Sequence, residues 1–480
     1  MAKSTIKSLP LNIGETVELK INSMAYDNSA VAKYKDFVVF VDRGAPGDEV
    51  IAEVTSLRPN YARAKIKEIK KSEQDYRIEA DCKLFKVCGG CQWQHLPYEK
   101  QLEQKNLLMQ NFVSKLSLEK EVLKPIIGAS EKWHYRNKVQ YPVRTIKATR
   151  RLKAGYFEWH SNDLVNIKFC PIQNSFFDAV IDTVRELAEK YNIIAYDSKT
   201  KIGWLRHICL RIGENTGEAL LTLVAINEKL SRSQDFANEL MVKHPELVGV
   251  CININTNTTN VIYGPRTLVL KGKGFIFEKI GDLRFKISAT SFFQVNTSQA
   301  AKLIEIVKNM VCRDVPVGRL YNTIFDAFCG GGLIALSLAK YAKQVVGVEE
   351  IKQSIDDAIF SAKENKIKNF EFVVGKVENK VDSVLERYSP DVVILDPPRV
   401  GCNKKIIESL CSTKAQSIKK IVYVSCNPTT LVRDLEILCR RDVPMGHLYP
   451  FEIKSIQPID MFPHTYHIEN IVLLERKEAD

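Results

Sequence analysis

The chain has 480 residues, 45% hydrophobic and 26% charged, and its 69 basic against 57 acidic side chains give a net charge of +12 and a pI near 9.0. Those proportions are ordinary for a globular protein. No stretch approaches the length of a membrane span, and the start, MAKSTIKSLPLNIGETVEL, lacks the apolar core of a secretory signal, so a cytoplasmic protein without a membrane partner is expected. Twelve cysteines at irregular spacing then argue for reduced thiols, a metal site or catalysis rather than disulfides.

Residues 1–72 alternate apolar and polar positions in short runs, such as Thr16–Ile21, Phe37–Val41 and Glu49–Val54, with a glycine turn at Asp42–Asp48. The pattern predicts a small antiparallel β-barrel. Its last run, RPNYARAKIKEIKK, sets Arg58, Arg63, Lys65, Lys67, Lys70 and Lys71 against Glu68 alone, with Tyr61 interleaved. That reads either as a basic surface with a ring able to stack on a base, or as a solvated basic edge strand. The run from GETVELKINS to YARAKI resembles the TRAM domain, a small RNA-binding barrel found on RNA-modifying enzymes.

Residues 73–290 read as a mixed α+β domain. A helix is expected over Pro97–Leu116, with Leu102, Leu107, Leu108 and Phe112 at helical spacing, and a place for it against the catalytic domain is expected. Strands are predicted at Asn137–Val143, Ile208–Ile212, Ala219–Val224 and Val248–Asn253. Arg136, Lys138, Arg206 and Arg211 are candidate RNA contacts, or equally strand-face charges. Cys82, Cys88 and Cys91 form C-x5-C-x2-C, and Cys170 lies far along before Pro171. Four thiolates can bind zinc or an iron–sulfur cluster, and the Cys-Pro pair favours iron.

Residues 291–480 switch to regular alternation. Strands are predicted at Ile324–Phe328, Gln344–Val348, Phe370–Val374, Val392–Leu395 and Ile421–Ser425, with helices between them at Leu333–Tyr341 and Gln353–Asn365, for example. Two closing strands follow, Glu452–Gln457 and His467–Glu475. This predicts a parallel, doubly wound sheet with an antiparallel ending, the outline of a class I methyltransferase.

Chemistry gathers at the carboxyl ends of those strands. The turn Asp326–Gly332 is glycine-rich and has no following Lys-Ser/Thr, so it is no phosphate-cradling loop; Glu349 ends the second strand and suits a ribose diol. The pair favours S-adenosylmethionine over NAD. The fourth strand ends in Asp396-Pro397-Pro398-Arg399, where methyltransferases of exocyclic amines carry an aromatic last residue; arginine is a poor base-stacking substitute. Carbon 5 of uracil, in contrast, needs covalent activation. A thiolate adding to C6 makes C5 reactive, and a base must then remove the C5 proton. Cys426, after the fifth strand, is placed as nucleophile, and Glu469, at the start of an apolar run, as base.

Together these residues resemble the RNA uracil-5-methyltransferase family, in the branch that combines a TRAM domain with a [4Fe–4S] cluster. The resemblance implies a barrel over 1–72, a central domain over 73–290 carrying the cluster on Cys82, Cys88, Cys91 and Cys170, and a methyltransferase domain over 291–480. It places Gln294 (in FFQVN), Phe328, Glu349 and Asp396 at S-adenosylmethionine, Cys426 as nucleophile and Glu469 as base. It implies a structured RNA substrate, 23S ribosomal RNA first and the T-loop of transfer RNA second, with no DNA partner. Leu333 and Lys376 depart from the family's polar residues at those positions and are the support for a non-catalytic RNA-binding alternative.

Overall fold

A computed structural model describes residues 9–477 other than 28, 74, 120, 147, 314–319 and 440–450. The first eight residues of the segment read for a signal lie outside the described residues. Contacts divide the chain into two units, one of residues 1–115 with 462–468, the other of 116–461 with 469–480. No helix among the described residues is long and apolar enough to cross a membrane.

In the first unit, β1 (Thr16–Met24), β2 (Ser29–Tyr34), β3 (Phe37–Asp42), β4 (Glu49–Leu57) and β5 (Tyr61–Lys71) close a barrel in the order β1-β2-β3-β5-β4. Alternate residues turn inward, as in β1, where Val17, Leu19 and Ile21 are buried. The expected all-antiparallel barrel is corrected at one seam, because β3 pairs with β5 in parallel. Directions cannot alternate around a ring of five strands, so one neighbouring pair must run parallel. The strand β5 is therefore no edge. Three of its cations pair with barrel carboxylates, Arg63 with Asp27, Lys67 with Glu53 and Lys70 with Glu18.

Helix α1 (Tyr98–Val113) completes this unit. Gln104 Oε1 accepts from Met24 N at 3.2 Å, and Phe112 meets Tyr26 edge-on at 5.3 Å.

The second unit holds two larger sheets. The first contains β6 (Lys138–Thr145), β7 (Leu152–Ala154), β8 (Leu205–Ile212), β9 (Ala219–Ala225), β10 (Leu247–Ile254) and β11 (Arg266–Gly272), in the order β11-β10-β9-β8-β6-β7. Helices α2 (Phe176–Lys190) and α3 (Ser233–Lys243) accompany it, and a hairpin of β12 (Phe275–Ile280) and β13 (Leu283–Ser288) follows.

Next come α4 (Thr297–Cys312), β14 (Tyr321–Asp326), α5 (Leu333–Leu338), β15 (Ala342–Glu349), α6 (Lys352–Glu364), β16 (Phe370–Val374), α7 (Val377–Tyr388), β17 (Val392–Leu395), α8 (Lys404–Leu410), β18 (Lys420–Ser425), α9 (Pro428–Leu438), β19 (Phe451–Ile459) and β20 (Glu469–Arg476). Their seven strands run β16-β15-β14-β17-β18-β20-β19, parallel from β16 to β18 and antiparallel beyond. Every residue of β17 and β18 is buried, which explains their unbroken apolar runs. The chain reverses its order between β14 and β17, and ligands collect at such switch points.

Candidate active site

At the switch point, β14 delivers Asp326 and β17 delivers Asp396 to the same end of the sheet. Between them opens a cleft of about 420 Å³, counted out to its mouth, lined by Phe292, Gln294, Phe328, Leu333 and both aspartates among others. Gly330 and Gly331 leave its floor open: a Cβ on Gly330 would meet nothing within 4 Å, and one on Gly331 only Phe292 O at 4.0 Å. Backbone can thus approach a ligand closely here. Of the four expected cofactor residues, Gln294, Phe328 and Asp396 share this cleft. Glu349 ends the neighbouring strand, accepts from Ile351 N at 2.8 Å, and lies within electrostatic reach of Asp326. Leu333 lines the cleft at the start of α5, whereas Lys376 precedes α7 and reaches toward Glu350 at 3.9 Å.

The strand register builds the second half of the site. Strand β18 pairs with β20 so that Ser425 faces Asn470. Cys426 follows Ser425 and Glu469 precedes Asn470, and the two side chains lie within electrostatic reach of each other. Asn427 then caps α9, accepting from Thr429 N at 3.1 Å with Pro428 in the first turn, and its Nδ2 donates to Arg399 O at 2.9 Å. Thr430 Oγ1 donates to the same carbonyl at 3.3 Å. The loop after β17 is therefore tied to the loop after β18, with Arg399 beside Cys426.

Electrostatics couple these groups. Burial pushes the Cys426 thiol up to about 11, and Glu469 pushes the same way while Arg399 opposes. Burial raises Glu469 well above the usual carboxylate range, Asp396 adds to that and Arg399 counters it. Burial takes Asp396 up to about 7, and burial with the neighbouring Asp396 charge takes Asp326 up to about 8. Two carboxyl groups, Glu469 and Asp396, thus act on one thiol against one guanidinium, and Asp326 is coupled to Asp396. Sequence reasoning gave neither Asp326 nor Arg399 this part; the strand-end position of Asp326 was the available signal.

The cysteine loop behaves differently. Cys82 and Cys88 are half-buried and Cys91 is buried in the first unit; Cys170 is buried in the second. Gly90 N donates to Cys88 Sγ at 3.3 Å, and Arg43, stacked 4.3 Å from the Phe85 ring, lies in electrostatic reach of Cys88 and Cys91. Among the described residues, however, no three Cys, His, Asp or Glu side chains gather as a metal-holding group.

Comparison with known proteins fits this architecture. The family model for tRNA (uracil-5-)-methyltransferase matches residues 267–477, and the TRAM domain matches residues 10–67. An uncharacterized RNA methyltransferase of Bacillus cereus is 35% identical over 99% of this chain and 100% of its own. One from Listeria monocytogenes is 36% identical, covering 98% of this chain and 99% of its own. The crystal structure of Pyrococcus abyssi tRNA (uracil-54, C5)-methyltransferase in complex with S-adenosyl-L-homocysteine superposes with a TM-score of 0.73 at 25% identity, over 95% of this chain and 100% of that one. The chain belongs to the RNA (uracil-5-)methyltransferase family and carries an amino-terminal TRAM barrel.

Proposed function

We propose that the protein methylates C5 of a uridine in 23S ribosomal RNA through a covalent adduct between Cys426 and C6 of the base. The observation that carries this reading is the pairing of β18 with β20, which brings a thiol within electrostatic reach of a buried carboxyl, both of them coupled to the Asp396 that lines the cleft. Gln294, Phe328, Glu349 and Asp396 would hold S-adenosylmethionine: the open glycine floor admits it, and carboxyl groups at two strand ends suit a ribose and a sulfonium. When bound, S-adenosylmethionine supplies the electrophilic methyl group that C5 takes.

The chain's own residues do the rest. With its pKa near 11, Cys426 is a thiol at neutral pH and must lose its proton as Sγ attacks C6. Arg399 and the amino-terminal end of α9 favour the thiolate. The electron pair displaced from the C5–C6 double bond forms an enolate that makes C5 nucleophilic. After methylation Glu469 takes the C5 proton, the double bond re-forms, and Sγ leaves as thiolate. Glu469 must be ionised for that step; burial and Asp396 hold its proton on, and Arg399 favours the charged form.

We also propose a [4Fe–4S] cluster on Cys82, Cys88, Cys91 and Cys170. The short three-thiol loop, the Gly90 N–H on Cys88 and the nearby Arg43 guanidinium support it. Methyl transfer has no redox step, so no reaction step is routed through it. Anaerobically purified protein is expected to absorb in the visible and to lose that band in Cys88→Ala; stoichiometric zinc instead would refute the assignment.

A T-loop uridine of transfer RNA is the second reading, favoured by the transfer RNA named for the Pyrococcus enzyme. Mapping 5-methyluridine in ribosomal and transfer RNA from cells lacking the protein separates the two. Loss from 23S RNA supports the first, and loss from transfer RNA alone supports the second.

A further inference from the structure

Lys138 of β6 and Arg211 of β8 are direct partners across an antiparallel pair, as are Gln140 and Cys209 two steps along. Directly opposed side chains share one face of the sheet with their Cβ atoms about 5 Å apart, and like charges so placed destabilise the pairing. Among the described residues no carboxylate forms an ion pair with either cation. Asp357 lies within electrostatic reach of Arg211, but Lys286 engages it at 3.2 Å and the hydroxyls of Ser288 and Ser291 at 2.7 and 2.6 Å. Arg211, 5% exposed, donates to Ser291 O at 2.6 Å. The Lys138 ammonium faces the Tyr263 ring, 5.7 Å from its centroid, and hydrogen-bonds to no described residue. Burial first and Arg211 next hold Lys138 down to about 7, with Cys209 opposing and Arg136 adding. Two opposed cations thus share one patch of sheet without a counter-ion.

With Cys209, Thr222 and Tyr263, the two cations line a narrow cleft of about 190 Å³, counted out to its mouth. Lys138 and Tyr263 are partly exposed, so the cleft opens to solvent. An ammonium and a guanidinium that no carboxylate neutralises suit an anion, and the guanidinium suits a phosphate above all. The place is adjacent to the methyl-transfer cleft. Arg211 holds Ser291, the residue before Phe292, while Asn137, the residue before Lys138, donates through Nδ2 to Gln294 O at 3.1 Å. Phe292 and Gln294 both line the cleft between Asp326 and Asp396. We propose that Lys138 and Arg211 form a subsite for a backbone phosphate of the RNA strand, at or next to the nucleotide that enters that cleft. The inference rests on RNA as the substrate and is independent of which RNA it is. A phosphate oxygen between the two cations offsets their repulsion, so the unfavourable pairing in the free protein is relieved when RNA binds. Phosphate contacts fix the register of a strand without reading its sequence. The pair therefore positions the uridine and does not select it.

Binding of the whole protein to ribosomal RNA and to transfer RNA is measured over a range of salt at pH 6, where Lys138 is charged. Lys138→Met keeps the aliphatic stem and removes the charge. It is expected to weaken both RNAs roughly tenfold at low salt and to reduce the slope of log affinity against log salt by about 0.7, the share of one phosphate. Lys138→Arg is expected to keep the slope. Without RNA, Lys138→Met is expected to unfold roughly 1–2 °C above wild type, because Arg211 loses its like-charged neighbour. A side chain needed only for packing would lower that temperature and leave the slope alone, and that pair of results overturns the proposal. Lys138→Gln gives the same loss of slope if the methionine variant does not fold. An unchanged slope in the neutral variants overturns the proposal, as does an equal fall in Lys138→Arg. The 5-fluorouridine complex of Cys426 reports separately on the chemistry. If it fails to form while the slope falls in Lys138→Met, the nucleophile assignment fails and the subsite stands; if it forms and the slope does not change, the subsite alone fails.

Discussion

Replacing Asp326 by asparagine isolates the electrostatic cost of the cleft. Asp326 is 1% exposed at the end of β14, and its Oδ2 accepts from Ala335 N at 3.0 Å, a bond that an asparagine Oδ1 retains. In the folded chain its pKa is about 8, against 3.8 for an exposed aspartate, chiefly through burial and then the charge of Asp396. Between those two values the folded state binds a proton that the unfolded state has released. Stability is therefore highest below 3.8 and falls as the pH rises toward 8. The loss amounts to about 1.4 kcal/mol for each pH unit within the window, or about 3 kcal/mol between pH 5 and pH 7. Asparagine does not titrate. Urea unfolding followed by hydrogen exchange in β14 is expected to find Asp326→Asn more stable than wild type, by a margin that widens by about 3 kcal/mol from pH 5 to pH 7. An equal margin at the two pH values would show that Asp326 does not titrate in this window.

Two further changes probe other parts. Arg399 favours the charged forms of both Cys426 and Glu469, so Arg399→Leu raises both pKa values. Adduct formation on 5-fluorouridine RNA is expected to slow by about tenfold at pH 7.5 and by the same factor at pH 9, both rates rising with pH because the thiolate fraction rises below the Cys426 pKa near 11; a deficit that closes by pH 9 would contradict this. On the barrel, Lys65 has no ion-pair partner among the described residues, whereas Lys67 pairs with Glu53. Lys65→Ala is expected to weaken RNA binding and to reduce the slope of log affinity against log salt by about 0.8, with a smaller change for Lys67→Ala. Equal effects would show that the Glu53 pair leaves Lys67 fully available.

Much of the catalytic sheet was legible in the sequence because its central strands are buried on both faces. Val392–Leu395 reads as an unbroken apolar run and forms a strand with those bounds, buried throughout. The barrel was legible as alternation but not as a ring, since closing five strands is a global constraint that no local pattern carries. The pairing of Arg63, Lys67 and Lys70 with Asp27, Glu53 and Glu18 was hidden for the same reason. Cys426 and Glu469 could be nominated by chemical need, yet 43 positions of chain separate them, and only the pairing of β18 with β20 brings them within electrostatic reach. The parts played by Asp326 and Arg399 arise from convergence of charges, which spacing does not encode.

The decisive measurement for Cys426 as nucleophile mixes the intact protein with S-adenosylmethionine and 5-fluorouridine-substituted 23S ribosomal RNA. A covalent protein–RNA complex is expected, with mass spectrometry locating a methylated fluorouracil on the peptide that contains Cys426, and with no complex in Cys426→Ala. Absence of a complex while S-adenosylmethionine binds, or a complex that persists in Cys426→Ala, would contradict it.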